Sequence, residues 1–420
     1  MTTLLCDCPA CRKEGAEPFD LRVMSPAEAR RHIGDRDVVD SVSGGKDSAA
    51  TALLLRELDI PTQHVHSATG WESALTDDYL EGELTRVLGP ITVLRANVPI
   101  LAGYEADVAE LELMLDPHFA DKGRSAPKPS PMVRLCLWKG CFPGQDTRWC
   151  TSALKVETFA LAMETAEELV NVVGIRRGES KNRNHAAEWE TLQECKLTNF
   201  TGVRMSRKKG VPIDPDAPGR TIRMDHIEQW RPIVNWTVEE VVAIHKRHGL
   251  AMNPLYRLGT TRVGCWPCIY QRKEDIRLMA DLDPERIRVI ERLEMLVGVR
   301  AKARRESREN RRILSPPSWF QIRDATSLAK LLSEFPAMAH DLMYGHKGGR
   351  RKPTGKIIPG EVHSCVPIAD VVEWSRTGRG GKQVELFGPP SRDWACSKFG
   401  YCETRPAEGD AVDTLPAAAE

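Results

Sequence analysis

The stretch that most constrains this chain covers residues 38–58. An apolar, β-branched run, Val38-Val39-Asp40-Ser41-Val42, meets Ser43-Gly44-Gly45-Lys46-Asp47-Ser48, and an Ala- and Leu-rich segment with helical spacing follows over residues 49–58. The expected local structure is a buried strand, a tight loop, and a helix whose first N–H groups have no intrahelical partner. Such a terminus attracts phosphate, and the loop serines and Lys46 add donors and positive charge. Gly44 and Gly45 let the backbone come close to an anion. Asp47 would repel a phosphate on its own, so its carboxylate makes sense as a ligand to magnesium held between protein and phosphates. The spacing is not that of a Walker loop, and the glycine pattern of dinucleotide folds is absent.

Residues 63–67 read as a second strand running into Ala68-Thr69-Gly70-Trp71-Glu72, residues 91–94 as a short third strand, and residues 169–173 as a further β run. Strands alternating with helices predict an α/β fold with a doubly wound parallel sheet and a C-terminal, mainly helical extension. Ligands in such sheets lie at the carboxyl ends of strands, so Thr69, Gly70 and the first loop are expected to face one crevice. The segment 116–144, rich in Pro, Gly and Lys, is expected to be a long loop over it. Arg148-Trp149-Cys150-Thr151 opens a helix expected to reach about residue 168. After the strand at 169–173 come Gly174-Ile175-Arg176-Arg177-Gly178-Glu179-Ser180, whose arginines suit an anionic ligand as well as a solvated loop. Thr237 and Glu240 form a capping-box pattern for a helix ending at Gly249. The expected organisation is a Cys-rich segment over 1–36, the main domain over 37–272, a helical region over 273–345, and an extension with a disordered tail over 346–420.

The 420 residues carry 59 basic and 59 acidic side chains, so no global field points to nucleic acid or a membrane. No apolar run resembles a signal peptide or spans a bilayer, which leads to the expectation of a cytoplasmic protein without a membrane partner. In that compartment the 12 cysteines point to metal binding or sulfur chemistry rather than disulfides. Cys265 and Cys268 have the two-residue spacing that lets both thiolates reach one metal or cluster. Cys150 is distant in sequence, but the fold can bring it to them, with Cys136 and Cys141 in an adjoining loop. Such a set suits an iron–sulfur centre or a zinc site. Cys6, Cys8 and Cys11 supply either three zinc ligands or free thiols on a loose tail, and His245, His248 and Cys195 read as ordinary residues. Basic runs at 204–209, 300–312 and 347–356 offer a path for a nucleic-acid backbone, but without interleaved aromatics they read more simply as solvated faces.

The sequence Ser43-Gly44-Gly45-Lys46-Asp47-Ser48 resembles the pyrophosphate loop of the adenine nucleotide α-hydrolase superfamily. Five ordered segments make the resemblance narrower: that loop, Ala68 to Glu72, Arg148 to Thr151 with Lys155, Gly174 to Arg176 with Glu179 and Ser180, and Asn253-Pro254-Leu255-Tyr256 leading to Gly264-Cys265-Trp266-Pro267-Cys268. Together they are similar to the phosphoadenosine phosphosulfate (PAPS) reductase family, especially its phage and prophage type, as is the ending over residues 396–403. The resemblance implies an adenine nucleotide, ATP or PAPS, with Thr69 and Gly70 near the adenosine, Arg176 near phosphate, and Gly174 also in the nucleotide site. It also implies a [4Fe–4S] cluster, with zinc as second choice. Cys150 falls on the second member of the family's cysteine pair and Trp149 on the first, while Cys265 and Cys268 match its later motif. Cys141 is the nearest substitute for the missing ligand.

Two departures shape the functional expectation. The terminal Glu-Cys-Gly-Leu-His segment of true PAPS reductases is absent, and Lys46 and Asp47 are both present, as in ATP-splitting relatives. The enzymes that make DNA phosphorothioates are similar in both the loop and the Gly-Cys-Trp segment. The expected activity is therefore adenylation of an acceptor by ATP and magnesium, with Lys46, Asp47 and Cys150 catalytic and sulfur arriving through the cysteine-held centre. Partners would be a sulfur or electron donor protein and a nucleic-acid acceptor. The rivals are reduction of PAPS or adenylyl sulfate to sulfite, with Cys396 or Cys402 as nucleophile, and a non-catalytic nucleotide-binding regulator that contacts DNA.

Overall fold

The structure is a computed structural model that describes residues 23–144, 148–179, 183–198, 220–307, 320–322, 364–366 and 368–376. Cys6, Cys8 and Cys11, the runs at 204–209 and 347–356, Ser180, Arg308, Arg311, Arg312, Cys396, Cys402 and the acidic tail lie outside the described residues.

Eight strands are described up to residue 230: β1 Asp37–Ser41, β2 Gln63–Ala68, β3 Ile91–Arg95, β4 Leu169–Val173, β5 Trp189–Thr191, β6 Glu194–Lys196, β7 Thr221–Arg223 and β8 Ile227–Trp230. The central sheet runs β3-β2-β1-β4-β8-β5. All its neighbours are parallel except the edge strand β5, which pairs antiparallel with β8. Strand β1 is buried in its middle because helices cover both faces, so Val38 and Val39 both enter cores. Two short antiparallel pairs, β6 with β7 and β9 (Phe320–Ile322) with β10 (Ser364–Val366), stand outside this sheet.

The helices are α1 Pro26–Ile33, α2 Lys46–Glu57, α3 Ala74–Tyr79, α4 Thr85–Leu88, α5 Glu105–Leu115, α6 Pro131–Lys139, α7 Trp149–Thr151, α8 Glu157–Ala162, α9 Val238–Arg247, α10 Pro254–Arg257, α11 Lys273–Leu282, α12 Pro284–Ser307 and α13 Ile368–Arg376. Helix α2 begins three residues before the expected point, because Lys46, Asp47 and Ser48 already have helical geometry after the Gly45 cap. The expected loop over 116–144 contains α6. Ser130 caps it by accepting the Val133 N–H, Pro131 opens it, and Gly140 closes it in the left-handed conformation, a start-and-stop signature hidden in a Pro/Gly-rich context. The helix expected from 148 to about 168 is instead α7, a π-helical turn over Ser152–Val156, and α8, which ends at Ala162. Thr237 and Glu240 do form a reciprocal capping box on α9.

Strand order reverses between β1 and β4, so their carboxyl ends open the crevice where open α/β sheets bind ligands. The loop 42–45 and the segment 174–179 leave the sheet at this point. A second core lies beyond the ends of the strands. It joins Trp71, Met132, Leu135, Cys136, Cys150, Leu154, Leu255 and Trp266 to Ile276, Leu293, Val297 and Ile368, so the described helices after residue 272 pack against the same core as the crevice loops.

Candidate active site

The loop after β1 is shaped by its own serines. The Ser48 hydroxyl donates to the Gly45 carbonyl at 3.0 Å and accepts the Ser43 N–H at 3.1 Å, drawing the turn onto the first turn of α2. Gly44 has a φ of 72°, and a Cβ there would meet Thr76 at 3.0 Å. Gly45 caps α2 with no side chain of its own over the helix start.

Within this loop Lys46, Asp47 and Arg176 form one buried ion network. Lys46 Nζ donates to Asp47 Oδ2 at 2.6 Å, and Arg176 Nε donates to Asp47 Oδ1. The Arg176 backbone leaves β4 through Gly174, whose position is forced by contact: a Cβ there would lie 2.6 Å from the Asp47 carbonyl oxygen and 2.7 Å from the Ser48 nitrogen. Two cations around one carboxylate leave a net positive charge at the end of β1 and β4, suited to an anion.

The loop is also held by α9 and by the segment that follows it. Asn253 Nδ2 donates to the Gly44 carbonyl at 3.3 Å and to Thr76 Oγ1 at 3.2 Å. Tyr256 accepts the Lys46 N–H at 3.3 Å, and its ring centroid lies 5.7 Å from Lys46 Nζ. His245, fully buried, has Nε2 at 2.9 Å from the Lys46 carbonyl and Nδ1 at 3.3 Å from the Leu250 carbonyl. Burial pushes the His245 pKa below its ordinary value, against the pull of both carbonyls.

The second half of the site is a strap. Glu72 pairs antiparallel with Cys265, and the Trp266 N–H donates to the Trp71 carbonyl at 2.8 Å. Glu72 Oε1 accepts the Thr69 hydroxyl at 2.6 Å and the Thr69 N–H at 3.0 Å, while Thr69 Oγ1 lies 3.8 Å from Cys265 Sγ. Gly70, at a φ of 66°, is required by packing: a Cβ would lie 2.5 Å from the Ser130 Cα. Cys265, Cys268 and Cys150 share one electrostatic neighbourhood around Lys155. Burial pushes the Cys265 thiol up to about 11 although the Lys155 charge opposes it, and burial also raises Cys150. Lys155 is raised, chiefly by Cys265 and, after the opposing effect of burial, by Glu72, Cys268 and Cys150. For Glu72, burial acts upward, but His66, the Thr69 bonds and Lys155 together hold it below the carboxylate norm.

The structure thus joins Ser43 to Ser48 with Gly174 and Arg176, and separately Cys150, Cys265 and Cys268 with Thr69. Cys141 sits beside Cys136, which in turn senses Cys150. Among the described residues, no group of three or more His, Cys, Asp or Glu side chains is arranged to hold a metal ion. The thiol set itself, with soft donors on separate segments and Lys155 to balance their charge, has the chemistry of cluster ligands. Sequence reasoning assigned no role to Glu72, His245, Tyr256 or Arg286. Of these, Glu72 and Tyr256 lay inside quoted motifs, and nothing local marked the other two.

The fold and this arrangement define an α/β protein with a glycine-containing loop at the topological switch point and a thiol-bearing strap close by. Residues 136–271 match the family model described as the phosphoadenosine phosphosulfate reductase domain. Over that segment the chain is similar to the PAPS reductase family. It is 29% identical over 384 residues to an uncharacterized 37.8 kDa protein in the gpa 5' region of Escherichia phage 186, covering 86% of this chain and 96% of the phage protein. A stretch of 37 residues is 46% identical to an adenosine 5'-phosphosulfate reductase of Deinococcus radiodurans, covering 9% of this chain and 14% of that enzyme. A crystal structure of a PAPS reductase from Candida auris, a phosphate complex, is 16% identical with a TM-score of 0.32, covering 58% of this chain and 89% of that one. No helix among the described residues is long and apolar enough to cross a membrane.

Proposed function

We propose that the chain is an enzyme that binds ATP with magnesium at residues 43–48, adenylates an acceptor, and supports sulfur transfer to it. The observation that carries this reading is Asp47 held between Lys46 and Arg176 at the end of β1 and β4. The triphosphate draws both cations from the carboxylate onto phosphate oxygens, where a guanidinium binds in a fork. Asp47 is thereby released to hold magnesium, which supplies charge neutralisation on the phosphates when bound. A nucleophilic acceptor atom attacks the α-phosphorus, the bond to the bridging oxygen breaks, and pyrophosphate leaves. Lys46 and the partial positive charge at the N-terminus of α2 stabilise the charge growing on that leaving group. Sulfide-level sulfur from a donor protein then attacks the acceptor atom that bears the adenylated oxygen, and adenylate leaves with that oxygen. Cys150, Cys265 and Cys268, with Cys141 the nearest fourth thiol, would hold an iron–sulfur cluster that supplies soft-sulfur chemistry at this step.

The test uses protein isolated without oxygen and incubated with ATP or with PAPS. Pyrophosphate release from ATP supports this reading. Sulfite from PAPS or adenylyl sulfate supports a second one, reduction, which the stretch shared with the Deinococcus reductase favours. Nucleotide binding and DNA retention with no product from either substrate would leave the regulator, with the basic runs as its contact.

A further inference from the structure

Helix α12 begins beyond the segment matched to the family model, yet its first turn reaches the thiol strap. Asp283, just ahead of it, accepts the Arg286 N–H with Oδ1 at 3.0 Å and the Trp266 indole N–H with Oδ2 at 3.2 Å. Arg286 Nη2 donates to the Glu72 carbonyl at 2.8 Å, and its guanidinium lies 5.1 Å from the Trp71 ring centroid. Its Nε is 3.6 Å from Asp283 Oδ2. One ion pair therefore grips both sides of the strap: Arg286 takes the Trp71-Glu72 side and Asp283 takes the Cys265-Trp266 side.

Arg286 is a costly way to fill this space. The residue is 4% exposed, and its Nη1 is buried without a hydrogen-bond partner. Burial also lowers its pKa, with Asp283, Glu72 and Asp77 pulling the other way. For stability alone, an apolar side chain of similar volume serves such a position as well or better. The bond to the Glu72 carbonyl, made beside the Asp283 carboxylate that holds the Trp266 indole, is what an apolar side chain could not supply.

We propose that Arg286 is a positioning residue for the thiol site, fixing Glu72 and Thr69 against Cys265 and Cys268 through the strap. The inference rests on the thiol half of the proposed function. Its test reads thiol access and no turnover, so it can fail while the ATP reading stands, and the reverse.

The experiment compares Arg286→Met, Arg286→Lys and the parent full-length protein, as isolated under reducing, oxygen-free conditions. Alkylation of each cysteine by iodoacetamide is timed by peptide mass spectrometry, alongside urea unfolding. In Arg286→Met, Cys265 and Cys268 are expected to react about tenfold faster while buried Cys136 and Cys195 and the unfolding midpoint stay put. Arg286→Lys keeps a cation and one donor for the Glu72 carbonyl, and is expected to give roughly a threefold increase. The Lys variant decides the matter if the Met variant does not fold. Rates at Cys265 and Cys268 within twofold of the parent overturn the proposal. So does a rise at all four cysteines together with a lower midpoint, which would mark Arg286 as a general packing residue.

Discussion

The two halves of this site are built in opposite ways. The glycine loop is contiguous: Ser43 to Ser48 fold onto themselves through the Ser48 hydroxyl, and only then meet Arg176, Asn253 and Tyr256. The thiol half has no local nucleus. Cys150 comes from α7, Cys265 and Cys268 from a loop after α10, and Thr69 and Glu72 from the end of β2, joined by a two-residue pairing and by an ion pair from α12. Loop closure supplies the first half at little entropic cost, whereas the second depends on packing between layers. A contiguous half tolerates changes elsewhere, and an assembled half inherits every weakness of its supports.

Lys46→Met tests the independence of the halves most severely. Pyrophosphate release from ATP should fall on the order of 100- to 1000-fold, as for a lost group that stabilises developing charge. Alkylation of Cys265 and Cys268 should not change; if it does, the halves are one unit. Gly174→Ala should destabilise the chain by about 3 kcal/mol in urea unfolding, because the new methyl group meets backbone rather than a yielding side chain. Gly103→Ala is the control: it has a φ of 85° but open space around it, so only the conformational cost of about 1 kcal/mol is expected.

Thr69→Val sharpens the contrast. It leaves Glu72 Oε1 with one donor fewer, and should cost about 1–2 kcal/mol of stability while leaving ATP affinity unchanged. A large loss of ATP affinity would instead return Thr69 to the adenosine contact that the family resemblance implies. The smallest effect concerns pH. His245 has a folded pKa below its ordinary 6.5, so the unfolded chain takes up the proton more readily. Stability is therefore expected to fall as pH drops below about 6.5 and to level off below the folded value. Melting curves between pH 8 and pH 5 should show this slope in the parent and a shallower one in His245→Gln.

The same contrast explains what the sequence made legible. Strand, loop and helix at residues 37–57, and the α9 cap at Thr237, follow from adjacent residues, so pattern and propensity suffice. Helix α6 escaped because Ser130 and Pro131 sit in a run whose composition reads as loop, although their order is a helix start. The Asp47–Arg176 pair was beyond reach for another reason: both residues were marked as ligand contacts, and nothing in either segment says they satisfy each other first. Arg286 lay in a stretch read only as helical, and nothing in that pattern says that the fold turns it inward.

Gly174 sets a limit on how nucleotide can enter. With the β4 exit pressed against the Asp47 and Ser48 peptides, the floor of the crevice cannot hinge open without breaking contact between sheet and helix. On the proposed reading, a nucleotide phosphate that replaces Asp47 as the partner of Lys46 and Arg176 asks only for side-chain rotamer changes at these two residues.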